Sequence, residues 1–244
     1  MAGGLKVRLD QALLGRGLAA SRARAQALIA AGLVIVDGQP ARGPDQMVEQ
    51  GSALEVLGRR RYVSRGGEKL APAVETLGLR VTGRTAVDVG ASTGGFTDVL
   101  LQGGAAHVIA VDVGYGQLDW RLRNDPRVTV LERVNIRELD KLPRPSDLAV
   151  VDVSFISLRL VLPRLSALLQ PPADVVALVK PQFEVGKGRV GKGGVVHDPE
   201  QHREVLEQLA AFARSLGFEV KGQAPSPIAG RSGNREFFLW LGLG

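Results

Sequence analysis

The sequence predicts an α/β protein, a parallel sheet with helices on both faces, preceded by a small α+β module. Three observations carry this. From residue 84 onward, β-type apolar runs alternate with helical ones, the pattern of repeated strand–helix–strand units. The first of those strands runs into the glycine-rich stretch Asp88-Val-Gly-Ala-Ser-Thr-Gly-Gly-Phe, where a parallel sheet places a ligand loop. The charge is also uneven: residues 1–63 carry nine Lys and Arg against five acids, while the rest of the chain carries twenty-two against twenty. A basic module attached to a nearly balanced domain suits a polyanionic partner.

The 244 residues, 45% of them hydrophobic, suffice for one full domain plus a smaller one. No run of about eighteen apolar residues is present, so no membrane span is expected. The start lacks an apolar signal segment, and the absence of cysteine excludes disulfides and thiolate metal sites. A cytoplasmic protein is expected, divided into a module at 1–58, a connector at 59–63 and a larger domain at 64–244.

In the module, Leu9, Leu13 and Leu14 mark a first helix and residues 18–21 a turn. Ser21 suits the N-cap of a helix over 22–31, with Ala25, Leu28 and Ile29 inward and Gly32 ending it. Residues 33–36 alternate as a strand, Asp37-Gly38 signals a tight turn, and residues 54–57 pair back. Arg-Leu-Asp at 8–10, Gly-Leu-Ala-Ala-Ser-Arg at 17–22 and Ala-Gly-Leu-Val-Ile-Val-Asp-Gly at 31–38 resemble the αL RNA-binding module of a small-subunit ribosomal protein and of bacterial tyrosyl-tRNA synthetases. Arg16, Arg22 and Arg24 fall on its open end and outer face, where they either track phosphates or form a solvated basic face. The connector Gly-Arg-Arg-Arg-Tyr at 58–62 is a spacer, or a clamp in which Arg60 and Arg61 meet RNA.

The second domain reads as strands at 85–89, 107–111, 128–131, 148–151, 175–179, 218–220 and 236–241, and helices at 96–101, 158–169 and 202–216. The last two strands close the sheet's edge through a long loop at 225–233. In the glycine-rich stretch, Gly90, Gly94 and Gly95 let a ligand approach the backbone, alongside Asp88, Ser92 and Phe96. The stretch lacks the Gly-Lys-Ser/Thr ending of a phosphate loop, which disfavours ATP or GTP. Asp112 ends the second strand, where an acid accepts ribose hydroxyls. With Asp88 also acidic, S-adenosylmethionine fits better than NAD. Asn135 contacts adenine or shapes its loop. The histidines have no metal-ligand spacing, no metal cofactor is expected, and Trp120, Trp240 and most phenylalanines read as core.

Ser64-Arg-Gly-Gly-Glu-Lys-Leu, the Asp88 loop, Asp152-Val-Ser-Phe-Ile-Ser-Leu, Lys180-Pro-Gln-Phe-Glu and Arg235-Glu-Phe-Phe together resemble the TlyA family of ribosomal RNA ribose methyltransferases, whose catalytic domain is FtsJ-like. The resemblance implies a Rossmann-like sheet, S-adenosylmethionine as donor, cytidine 2′-O-methylation in ribosomal RNA or ribosomal subunits, and a catalytic set that falls on Lys69, Asp152, Lys180 and Glu236. The chemistry agrees with this: a ribose hydroxyl needs help to lose its proton, and a lysine beside a second cation in a partly desolvated cleft provides it. Lys180 is then the base or the orienting group and Lys69 its cationic neighbour, while Asp152 faces the sulfonium and Glu236 orients the lysines. Taken singly, each has a plainer reading as a surface charge, cap or ion pair. The basic glycine-rich loop at 186–194, with Lys187, Arg189 and Lys192, is a lid on RNA phosphates or an idle loop. The family is sometimes labelled haemolysin, so a membrane-active protein is one alternative and a non-catalytic ribosome-assembly factor another. No obligate protein partner is evident.

Overall fold

The computed structural model describes residues 6–58, 61–186 and 188–244. The chain divides into two compact units, residues 1–60 and 61–244.

The first unit contains β1 (Lys6–Arg8), α1 (Leu9–Gly15), α2 (Arg22–Ala30), β2 (Val34–Val36), β3 (Gln39–Pro40), β4 (Met47–Glu49) and β5 (Leu54–Val56). Its core is small, built on Leu9, Leu13, Ala25, Leu28, Ile29 and Val34. The helix start and stop follow the sequence: Ser21 Oγ accepts from Arg24 N at 3.1 Å, and Gly32 follows the last turn at φ +70°. Asp37 and Gly38 both take positive φ, the hairpin turn that matches strand twist, and β5 returns antiparallel to β2. The pairing of β1 with β4 escaped the sequence reading because three-residue strands are too short to show a period of two.

The second unit contains α3 (Arg65–Leu77), β6 (Thr85–Val89), α4 (Gly95–Gln102), β7 (His107–Asp112), α5 (Trp120–Arg123), β8 (Val128–Glu132), β9 (Leu148–Val151), α6 (Leu162–Leu168), β10 (Ala173–Val179), α7 (Pro181–Glu184), α8 (Pro199–Ser215), β11 (Phe218–Pro225) and β12 (Phe237–Leu243). They form a seven-stranded sheet in the order β11-β12-β10-β9-β6-β7-β8. Alternate strand residues fill two cores, as a sheet covered on both faces requires. Ala86, Val108, Leu148, Val150 and Phe238 pack with α3 and α4 on one side. Val87, Ile109, Ala149, Val175 and Leu239 pack with α6 and α8 on the other. Each fully buried Val or Leu contributes about 1.5–3 kcal/mol, so the strands hold the unit together and leave the loops beyond their carboxyl ends free to carry charge.

Two expectations change. The helix read over 158–169 is a 3-10 turn at Leu158–Leu160 followed by α6, because Pro163 lacks an N–H and sits in the first turn of a helix that restarts there. The last two strands close one edge of the sheet as expected, with β11 outermost and β12 between it and β10, antiparallel to both. Tyr62, read as part of a connector, is 7% exposed and packs in the second unit's core.

Candidate active site

β9 and β10 run parallel, so the residues just past their ends, Asp152 and Lys180, emerge side by side. Lys180 Nζ lies 2.6 Å from Asp152 Oδ1 and 2.8 Å from Ser154 Oγ. β12 is antiparallel to β10, pairing Phe237 with Val179, so one step further along the register Glu236 approaches Lys180. α3 brings Lys69 to the same edge, with Nζ 2.7 Å from Glu236 Oε2. The four residues therefore meet as two ion pairs at the carboxyl end of the sheet. Lys180 is 8% and Glu236 4% exposed, so neither pair is an ordinary surface contact. The plainer reading of Lys69 as a solvated charge does not hold.

The sheet order reverses between β6 and β9, where open α/β sheets bind ligands. Asp88, on β6, is fully buried. Its Oδ2 accepts from Thr97 Oγ1 at 2.6 Å, and its Oδ1 has no partner. Burial pushes its pKa up to about 7, against the pull of the Thr97 hydrogen bond and with help from the charges of Asp152 and Asp112.

The glycines of this loop serve packing where ligand approach was expected. Gly90 has φ +84°, and a Cβ there would lie 2.6 Å from the Asp152 carbonyl. At Gly94 (φ +92°) a Cβ would meet Leu122 at 2.3 Å, and at Gly95 it would meet Ser64 Oγ at 2.3 Å and Gly67 N at 2.7 Å. Gly90 thus lets β6 and β9 meet at the crossover, and Gly95 lets α3 and α4 touch. Phe96, expected at the ligand, lies in the core beside Phe238, ring centroids 6.1 Å apart. Ser92 remains exposed, its N–H donating to Asp112 Oδ2 at 2.7 Å. Asp112 Oδ1 accepts from Gly114 N at 2.7 Å, and a narrow cleft lies among Ala91, Ser92, Asp112, Leu118 and Val130. Asn135 takes the loop-shaping role: its side chain accepts from Arg137 N at 3.2 Å and donates to Glu138.

Several residues escaped the sequence reading. Glu184 Oε2 accepts from Ser157 Oγ at 2.6 Å and Oε1 from Leu158 N at 2.8 Å, strapping the segment after β10 to the segment after β9. Burial raises its pKa. Asn234, 1% exposed, accepts from Val196 N and donates to Gly194 O, both at 2.9 Å, tying the glycine-rich loop to the approach of Glu236. An asparagine directly after Gly230-Arg-Ser-Gly is unremarkable in a sequence, and only folding brings its partners near. Phe155, expected as core, is 91% exposed at φ +62°, 5.1 Å from Phe183. Trp120, also expected as core, is 74% exposed. Trp240 is half-buried and donates to Asp174 at 2.8 Å. His107 and His202 are held by Thr129 Oγ1 at 2.8 Å and Val196 O at 2.9 Å. Among the described residues no cluster of three His, Asp or Glu is placed to ligate a metal.

The expected RNA contacts are spread differently from the prediction. Arg16 donates to the carbonyls of Gln50 and Ser52, both at 2.5 Å, and so holds its own unit together. Arg22 pairs with the buried Asp10 at 2.9 Å. Arg24 is exposed. Arg61 is exposed over the Tyr62 ring at 5.3 Å, and that buried ring cannot stack on RNA. Arg189 pairs with Glu204 of α8. Arg60 and Lys187 lie outside the described residues, as does the side chain of Lys192.

A family model for FtsJ-like methyltransferases matches residues 62–243, and one for the S4 domain matches residues 7–54. The 16S/23S rRNA (cytidine-2'-O)-methyltransferase TlyA of Mycobacterium tuberculosis is 53% identical over 97% of this chain and 90% of its own length. Hemolysin A of Brachyspira hyodysenteriae is 38% identical over 95% of this chain and 98% of its own. A solved structure from Streptococcus thermophilus that carries a hemolysin name aligns at TM-score 0.74 and 44% identity, covering 99% of this chain and 90% of that one. Identity at that level from end to end leaves no segment of the architecture unmatched, and the chain belongs to the TlyA family of FtsJ-like methyltransferases.

Proposed function

We propose that this chain methylates the 2′-hydroxyl of a cytidine ribose in ribosomal RNA, with S-adenosylmethionine as donor, and that it acts in the cytoplasm where that RNA resides. The observation that carries the reading is the pair of lysine–carboxylate contacts at the sheet's carboxyl end, Lys180–Asp152 and Lys69–Glu236, beside the loop that follows Asp88. The ribosomal target is the one named for the Mycobacterium tuberculosis relative.

The residues present fit the donor. The unpartnered Asp88 Oδ1 is a buried acceptor near the end of β6 with two further acids nearby, an environment suited to a ligand bearing an ammonium and a sulfonium. Asp112 has lone pairs left for ribose hydroxyls after its two backbone contacts, and Leu118 and Val130 offer apolar walls to an adenine. When bound, S-adenosylmethionine supplies an electrophilic methyl group.

The chain's own residues manage the nucleophile. Lys180 Nζ meets the 2′-hydroxyl: once its ammonium has passed a proton to Asp152, 2.6 Å away, the free amine takes the hydroxyl's proton as the new C–O bond forms. Ser154 Oγ fixes the direction of Nζ. Lys69, anchored by Glu236, holds the ribose in line, so orientation adds to proton transfer. Phe155 offers the exposed flat surface beside this site on which a base can lie. The first unit supplies RNA affinity through its exposed cations, Arg24 among them.

The test is a map of ribose methylation in ribosomal RNA from cells with and without the protein. A site present only with the protein is expected. Identical maps would overturn the assignment of the target.

A further inference from the structure

The segment between β11 and β12 leaves the sheet at Pro225, returns at Phe237, and walls a cavity of about 340 Å3 that the reaction above does not use. That volume lies in the range of small-ligand pockets, roughly 300–1,000 Å3. The walls are Pro225, Pro227, Ala229 and Phe237, with Ser226, Arg235 and Glu236 completing them. The cavity is held open by the segment's own bonds: Ser226 N donates to Glu236 O at 2.8 Å, and Gly230 N to Asn234 O at 2.9 Å. From the opposite side Arg65 donates to Ala229 O at 3.0 Å, one helical turn before Lys69. Arg231 and Arg235 are exposed in the same segment. Its one acid, Glu236, is already engaged by Lys69. An anionic ligand entering here meets guanidinium groups and no free carboxylate.

The geometry points to a nucleotide subsite: this cavity takes the RNA nucleotide adjacent to the one whose ribose is methylated, with its base against Pro227 and Phe237 and its phosphate on Arg235. Contiguity fixes the occupant. Glu236 is at once a wall of the cavity and the partner of Lys69, so whatever fills the cavity lies one residue from the reacting ribose. The proline and phenylalanine surfaces are sequence-tolerant, as a stacking platform is, and the cations suit the backbone of a single strand. The inference rests on the RNA-methylation reading and narrows it to a substrate that is single-stranded on this side of the target.

Two substitutions in the full-length protein test it. Ala229→Trp, at an exposed side chain, fills the cavity, and Arg235→Ala removes the cation. Against unmethylated ribosomal RNA, each is expected to raise KM for RNA by roughly tenfold, with kcat at saturating RNA and S-adenosylmethionine affinity by calorimetry unchanged. The Arg235→Ala variant alone should flatten the dependence of log KM on log salt, by about 0.7 for one lost single-strand phosphate contact, and Arg235→Lys should restore it. An unchanged KM, or a fall in kcat at constant KM, would overturn the subsite, because the segment would then act only by holding Glu236. Binding of a short cytidine-containing oligoribonucleotide, followed by fluorescence anisotropy without cofactor, separates the two readings. If the wild-type protein methylates no ribosomal RNA yet binds the oligonucleotide, and Ala229→Trp abolishes that binding, the reaction fails and the subsite stands. Oligonucleotide binding that neither substitution changes sinks the subsite whatever the activity.

Discussion

Asp10 in the first unit and Asp88 in the second are both fully buried carboxylates, and they are built in opposite ways. Asp10 is saturated: Arg8 donates to both its oxygens at 3.1 Å, while Arg22 Nε and Gln26 Nε2 donate to Oδ2 at 2.9 and 3.0 Å. Those contacts, that of Arg8 first, hold its pKa well below the usual carboxylate range. Asp88 is bonded by Thr97 on one oxygen and has no partner on the other, so burial drives its pKa up to about 7. Closed polar networks tie a small core together, whereas an orphaned buried acid marks a place prepared for something else. The same contrast separates the arginines of the first unit, several of which serve its own fold, from the paired lysines at the sheet's carboxyl end.

The hardest test of the contrast lies at the open end. Lys180→Ala is expected to lower turnover by roughly 10²–10⁴-fold, the usual worth of a positioned proton-transfer group, while S-adenosylmethionine affinity by calorimetry stays within a few fold. Retained turnover would return Lys180 to the role of a structural ion pair.

At the closed end, Asp10→Ala should destabilise the first unit by about 1–3 kcal/mol, because Gln26 and two half-exposed arginines lose their shared acceptor. Its pKa is depressed by folding, so the stability it contributes is present above about pH 4 and disappears as the pH falls below that. Denaturant unfolding followed by a probe in residues 6–58 reads this. A substitution without effect on the unfolding midpoint would mean that the apolar core alone holds the unit.

Asp88 should show the opposite sign. With its pKa raised in the folded state, its contribution to stability is full below about pH 4 and is lost as pH rises through about 7. Affinity for the cationic donor should climb over the same interval as the carboxylate ionises, by up to about tenfold per pH unit. Calorimetry from pH 5 to 8 should find this slope below about pH 7 and a plateau above it in the wild-type protein, and a flat line in Asp88→Asn. Parallel slopes would assign the titration to another group.

The smallest effect concerns RNA affinity. Arg24→Ala should flatten the salt dependence of ribosomal RNA binding by about 0.7–0.9 in log K against log salt without changing stability, whereas Arg16→Ala should lower stability because Arg16 holds Gln50 and Ser52. Equal salt slopes in wild type and Arg24→Ala would remove Arg24 from the RNA surface.

The sequence by itself determined the larger elements and singled out the residues that meet at the sheet's carboxyl end. Apolar periodicity located β6 to β10 to within a residue or two, because the strands of a sheet covered on both faces are continuous hydrophobic runs. Ser21, Gly32 and Asp37-Gly38 were legible because caps and tight turns depend on neighbours a few residues away. Lys69, Asp152, Lys180 and Glu236 were legible through their flanking motifs. Only the tertiary structure decided how they combine, joining Lys69 to Glu236 across 167 residues and Lys180 to Asp152. It also turned the loop glycines from ligand clearance into packing contacts at Asp152, Leu122 and Ser64, and placed Phe155 and Trp120 at the surface. It recruited Glu184 and Asn234 as clasps. The physical reason is one of range: propensity and capping act over a few residues and are written locally. Clearances, partners and burial depend on what the sheet order brings alongside, and no local pattern records that.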